Sequence, residues 1–149
     1  MEQNKVTLQR VLTAPVEKIF RAFSDSGAMA SWFPPNGFYC SIHHFDFKIG
    51  GTFKMSFTNF TTNGSHSFGG EYLEITPNQL LKYSDRFDDP NLTGEIITTV
   101  QFIPVSCGTE ILISQTGIPD LIPAEMCYLG WQESLEKLKK LVEPNIPDA

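Results

Sequence analysis

The stretch PAEMCYLGWQESLEKLKKLV, residues 123–142, decides the fold. Within it Cys127, Trp131, Leu135, Leu138 and Val142 recur at helical spacing and make one apolar face. Glu133 with Lys137, and Glu136 with Lys140, stand four residues apart on the other side, where such pairs support a solvated helix surface. Pro144 and Pro147 end the element. A helix with so long an apolar face must lay it against another layer, and the residues before it supply one.

From Phe38 to Gly117 the texture is that of strands separated by turn signals. Phe45 and Phe47 alternate, Gly50-Gly51 interrupts, and Phe53, Met55 and Phe57 alternate again. Asn63-Gly64 predicts a hairpin turn. Leu73 and Ile75 lead to a turn at Thr76-Pro77-Asn78, and Leu81, Tyr83 and Phe87 continue on the next strand. Ile96, Thr98, Val100 and Phe102 share a face; Ser106-Cys107-Gly108 then turns the chain into Ile111, Ile113 and Gln115. Six consecutive strands with short loops favour an antiparallel meander. Gly50-Gly51 and Gly69-Gly70 open no helix, so they predict bulges or sharp bends rather than phosphate cradles.

Ahead of the meander, Lys5 to Leu12 fits a first strand. Thr13-Ala14-Pro15 predicts a helix start with Thr13 as its cap, and Val16, Ile19, Phe20 and Phe23 form its apolar stripe. Ser24-Asp25-Ser26-Gly27 breaks that helix and caps a short second one, which turns Met29, Trp32 and Phe33 inward before Pro34-Pro35. The expected class is α+β in the order β-α-α-β6-α, one domain over residues 1–149 with its core at about 5–142.

Composition narrows the partners. The chain has 11 basic and 17 acidic residues, and its formal charge of -6 repels phosphate backbones and anionic headgroups, so neither nucleic acid nor a membrane surface is an expected partner. Cys40, Cys107 and Cys127 are scattered and odd in number, which argues for reduced thiols and a cytoplasmic setting rather than a disulfide framework. His43 and His44 are adjacent on a strand and point to opposite faces, so they do not chelate one ion, and no metal or cofactor is expected. Twelve Phe residues supply more aromatic surface than one lid helix needs, and the surplus is expected to line a pocket.

Several blocks carry a resemblance. They are Ala14-Pro15 with Ile19-Phe20, Ala22-Phe23 and Asp25, then Trp32-Phe33, Asp46 with Gly50-Gly51 and Phe53, the run from Gly70 to Pro77, Gly108 to Ile111, and Gly130-Trp131 with Leu135 and Leu138. In this order they resemble the heat-shock-protein ATPase activator homologue (AHSA-type) group of the SRPBCC superfamily, over roughly Val11 to Leu141. The resemblance implies a START-like, helix-grip fold, with a curved antiparallel sheet around the C-terminal helix and a cavity between them. Relatives include ligand carriers, cyclases and a co-chaperone domain, so the resemblance implies no single activity. Two positions depart from the pattern: Lys48 stands where Arg is usual, and Cys127 where many relatives carry His.

The ligand-lining residues expected from strand parity and helix face are Phe53, Met55, Phe57, Leu73, Tyr83, Phe102, Ile113, Gln115, Tyr128 and Trp131. Trp131 reads both as a core anchor and as a cavity wall. Tyr83 and Tyr128 read as ligand-orienting hydroxyls or as core tyrosines, and Gln115 as a neutral hydrogen-bonding handle. Glu71 and Asp85 share parity with inward neighbours and are polar cavity candidates, with a solvated rim position as the other reading. The leading functional expectation is a binder of a small hydrophobic or amphipathic molecule. A protein-interaction module with a solid interior and a protein partner is the alternative. A cyclase- or hydrolase-like enzyme using Glu71 or Asp85 with Tyr83 is a weaker third, and no residue is assigned as catalytic. Monomer and homodimer both stay open.

Overall fold

The computed structural model describes residues 5–148. Its elements run β1 (Val6–Leu12), α1 (Val16–Ser24), α2 (Ser26–Trp32), β2 (Phe38–Phe45), β3 (Thr52–Asn59), β4 (Ser65–Thr76), β5 (Leu80–Phe87), β6 (Ile96–Val105), β7 (Gly108–Thr116) and α3 (Ala124–Val142). This is the expected order. The seven strands form one antiparallel sheet in the order β1-β7-β6-β5-β4-β3-β2, and α3 lies in its concave side as in the helix-grip fold.

Local chemistry explains the joints. Asp25 Oδ1 accepts the Ala28 N–H at 3.0 Å and starts α2, as expected. Thr13 does not cap α1; Pro15 occupies the cap position, and its fixed φ of -67° leads into the helix without a side-chain hydrogen bond. Asn63 turns the β3–β4 hairpin at φ 64°, which Asn tolerates better than most residues. The anticipated pairs along α3 are not made within the helix. Glu133 accepts the Asn36 N–H, Lys137 donates to the Pro34 carbonyl, and Glu136 pairs with Arg10 at 2.8 Å. Those side chains tie α3 to the α2–β2 turn and to β1, because nearby tertiary partners outcompete a solvated i,i+4 contact worth a few tenths of a kcal/mol.

One half of the concave face is filled. Phe20 and Phe23 pack edge-on to Phe102 at 5.3 and 5.4 Å, Trp32 packs on Phe23 at 4.8 Å, and the Trp32 indole N–H donates to the Ala22 carbonyl at 2.8 Å. Leu135, Leu138 and Val142, on the second half of α3, are buried. The first half of α3 presents Cys127, Gly130 and Ser134 to the sheet instead, and these small residues leave space.

At β4 the sheet departs from simple alternation. Tyr72 pairs with Tyr83, but Glu74 pairs with Lys82, so Leu73 is an extra residue in a bulge. Tyr72 and Ile75 therefore flank the bulge on the inner side although they differ by an odd number of positions, each opposite an inward residue of β5.

Candidate functional site

Under the first half of α3 lies a cavity of about 340 Å³, within the range of small-molecule sites. β3, β4 and β5 contribute Phe57, Phe68, Asp85 and Phe87; β6 and β7 contribute Ile96 and Gln115. The roof is Cys127, Gly130, Trp131 and Ser134 of α3, and Phe33 closes the side toward the filled half. Pro35, Phe38, His66, Ile118, Ile122 and Met126 complete the wall; His66 and Met126 are exposed, and so mark its solvent side.

Trp131 is both wall and anchor. Its ring is 6% exposed, packs edge-on against Phe33 at 5.9 Å, and its indole N–H donates to Gln115 Oε1 at 2.9 Å. Gln115 in turn donates through Nε2 to Thr98 Oγ1 at 3.0 Å. The amide expected as a ligand handle is thus engaged at both ends and serves to hold the indole in place. Ser134 is likewise occupied, donating to the Phe33 and Gly130 carbonyls.

Asp85 is the polar group left over. Some of the residue remains accessible, yet its carboxyl Oδ1 is sealed from solvent and has no hydrogen-bond partner. Removal from water raises the carboxyl pKa well above its ordinary value; the Arg86 backbone N–H and the Lys54 ammonium favour the charged form but do not offset that loss. The Tyr83 hydroxyl is buried as well, and burial, the Asp85 charge and Tyr72 hold its phenol protonated against a smaller opposing effect of Thr98. Burial pushes the Cys40 thiol up to about 11 and raises Cys127 as well, so the roof thiol is a neutral group at physiological pH.

A pH experiment isolates Asp85. A carboxyl whose folded pKa is raised contributes stability below the unfolded value of 3.8 that is lost as pH rises through the folded pKa. Asp85→Asn, neutral throughout, is therefore expected to melt above the wild type at neutral pH and to lose that advantage as pH falls toward 4. Melting curves of both proteins across this range check it. An advantage that does not change with pH would show that the Asp85 charge carries no penalty.

Of the residues expected at the site, the structure brings together Phe57, Gln115, Trp131 and Asp85. The others lie outside the cavity wall. Phe53 is core, against Tyr72 and Tyr83; Met55 is buried with the Cys40 thiol 4.0 Å from its sulfur; Phe102 fills the α1 side; Ile113 is buried in the sheet between Leu8 and Val100. The Tyr83 hydroxyl is sealed in the core rather than open to a ligand. Tyr128 points toward β1, where its hydroxyl accepts the Thr7 N–H at 3.1 Å. Leu73 occupies the bulge, and the parity it breaks leaves Glu71 exposed, so Glu71 is not a cavity acid. Phe33, Phe38, Phe68, Phe87, Ile96, Ile118, Ile122 and Met126 belong to the wall but were not among the site residues expected. Phe68 had a usable signal: it faces Met55 across the hairpin and shares parity with Tyr72. The small residues Cys127, Gly130 and Ser134 on the first half of α3 were a second signal.

Among the described residues no group of three or more His, Cys, Asp or Glu is placed to hold a metal ion. His43 Nε2 is hydrogen-bonded to Ser56 Oγ at 2.8 Å. No described helix is long and apolar enough to cross a membrane.

Comparison with known proteins agrees with this architecture. The family described as Activator of Hsp90 ATPase homolog 1-like protein matches residues 13–143. A crystal structure of a Chromobacterium violaceum protein is 51% identical, with 95% of this chain and 99% of that chain covered and a TM-score of 0.94. A Nitrosomonas europaea protein is 21% identical over 92% of each chain with a TM-score of 0.75, and a Mycobacterium smegmatis protein is 14% identical over 97% of this chain and 94% of that one with a TM-score of 0.79. At those identities the last two show a shared fold alone. No curated protein matches.

Proposed function

The chain belongs to the family of Activator of Hsp90 ATPase homolog 1-like proteins, and from that premise and the cavity beneath α3 we propose that it binds a small apolar or amphipathic molecule between sheet and helix. The observation that carries this reading is an aromatic-walled space of about 340 Å³ beneath Gly130, where an added Cβ would meet nothing within 4 Å. Tight packing is the norm in protein interiors, and a void of this size on the inward face of a helix forgoes contacts that larger side chains would make. Burying a few hundred Å² of an apolar molecule there is worth several kcal/mol at about 25 cal/mol per Å² before ordering costs, which supports roughly micromolar binding.

The test uses Gly130 itself. Gly130→Ala places a methyl in open space and removes a helix-interior glycine, so it is expected to stabilise the protein by about 1 kcal/mol in urea melts. The neutral fluorophore N-phenyl-1-naphthylamine is expected to brighten on binding wild type, and Gly130→Phe, which fills the cavity from its roof, is expected to abolish that rise. Equal binding by wild type and a folded Gly130→Phe variant would place the probe elsewhere and remove the basis of the reading.

The protein-interaction alternative called for a solid interior, and the space under α3 weighs against it. The enzymatic alternative loses two of its three groups, since Glu71 is exposed and the Tyr83 hydroxyl is sealed away.

A further inference from the structure

The cavity combines two features that call for the same ligand chemistry. Six aromatic rings, Phe33, Phe38, Phe57, Phe68, Phe87 and Trp131, contribute to its wall. The only acidic side chain among the described wall residues is Asp85, and no Lys or Arg lines the space. Resting on the cavity-binding reading, we propose that the site selects small aromatic or alicyclic amines, the apolar body among the rings and the protonated nitrogen on the Asp85 carboxylate.

The argument is one of unmet needs. Asp85 lines the cavity with part of its surface, while its Oδ1 is turned away and unpartnered, so a rotation of the carboxyl brings that oxygen to an entering donor; a buried acceptor without a donor is costly. The Arg86 backbone N–H favours the charged carboxylate, but no side chain donates to this oxygen. Lys54, the cation whose field reaches Asp85, is paired with Asp88, which also accepts the Ser67 hydroxyl at 2.7 Å. Arg86 forms its ion pair with Glu95. Gln115 and Ser134, the polar neighbours on β7 and α3, are committed to Trp131, Thr98 and backbone carbonyls. An entering ammonium brings N–H donors and the counter-charge that the carboxylate lacks, and aromatic surroundings favour a cation over an anion. A carboxylate-headed ligand such as a fatty acid meets the opposite situation, with no Lys or Arg to receive it and Asp85 to repel it. Burial raises the Asp85 pKa, and an ammonium paired with the carboxylate would lower it again.

Three probes with one ring system separate the possibilities: 1-naphthylmethylamine, 1-naphthylmethanol and 1-naphthylacetic acid, titrated by calorimetry near neutral pH against wild type and Asp85→Asn. The amine is expected to bind at least about tenfold more tightly than the alcohol, with the acid weakest, and Asp85→Asn is expected to cut the advantage of the amine to about twofold or less. Should Asp85→Asn fail to fold, Asp85→Ser replaces it, and the ranking on wild type still decides. If the alcohol or the acid binds as tightly as the amine, the amine inference falls while the cavity reading stands. An amine preference that survives removal of the carboxylate overturns the role given to Asp85. If none of the three binds, and N-phenyl-1-naphthylamine fails as well, inference and cavity reading fall together.

Discussion

Trp131→Ala is expected to lower the unfolding free energy by about 3 kcal/mol, toward the small end for a buried tryptophan. The residue is 6% exposed and packs edge-on against Phe33, with the Gln115 amide holding its nitrogen. Another part of its surface borders the cavity and has few atoms to lose. Truncation leaves Gln115 Oε1 without its donor, but the enlarged space admits water to it, which limits that cost. Trp131→Phe separates the contributions: it keeps most of the apolar surface and loses the hydrogen bond with a smaller part of the ring packing, about 1–2 kcal/mol in all. Urea melts of both variants check the pair of values. A Trp131→Ala loss below about 1 kcal/mol would mean that the indole does not bind α3 to the sheet.

Gly70→Ala is expected to cost about 3 kcal/mol or more, although it adds one methyl group. A Cβ at Gly70 would lie 1.8 Å from the Ser84 carbonyl oxygen, 2.5 Å from its carbon and 3.0 Å from the Asp85 Cα. All three are backbone atoms of β5, so no side-chain rotation relieves the clash. β4 and β5 must separate where the ladder is already irregular, with Ser84 Oγ accepting the Glu71 N–H at 3.2 Å. The same displacement moves Asp85, so a folded Gly70→Ala protein is also expected to bind 1-naphthylmethylamine more weakly than wild type. Gly130→Ala is the matched control, with the same chemical change at an open position and the opposite sign of effect. Melting Gly70→Ala beside Gly130→Ala provides the test; a Gly70→Ala protein as stable as wild type would show that the two strands do not approach so closely.

The β-α-α-β6-α order was legible because each element announces itself over a few residues. Phe53, Met55 and Phe57 alternate; Cys127, Trp131, Leu135 and Leu138 recur at helical spacing; Asp25 and Asn63 stand where a cap and a turn need them. The inward direction of Asp85 was legible on the same grounds, since β5 keeps its alternation from Leu81 through Tyr83. Of the two positions open to Glu71, the structure takes the solvated rim, because alternation on β4 stops at Leu73. An inserted residue changes the facing of everything on one side of it, and the residues around it are ordinary strand formers.

What the tertiary structure alone decided is which inward residues border space. Phe53, Phe102 and Ile113 point inward as their spacing required, but α1 and α2 bring Phe20, Phe23 and Trp32 over one half of the sheet and fill it. The void falls under Cys127, Gly130 and Ser134, where small side chains on α3 face Phe57, Phe68 and Phe87 across the sheet. The commitment of Gln115 to Trp131 and Thr98, and the lack of a hydrogen-bond partner for Asp85 Oδ1, depend on atoms that are distant in the chain and adjacent only after folding. Periodicity is local and fixes direction, whereas a cavity is the volume that many separate segments fail to occupy, and no single stretch of sequence records it.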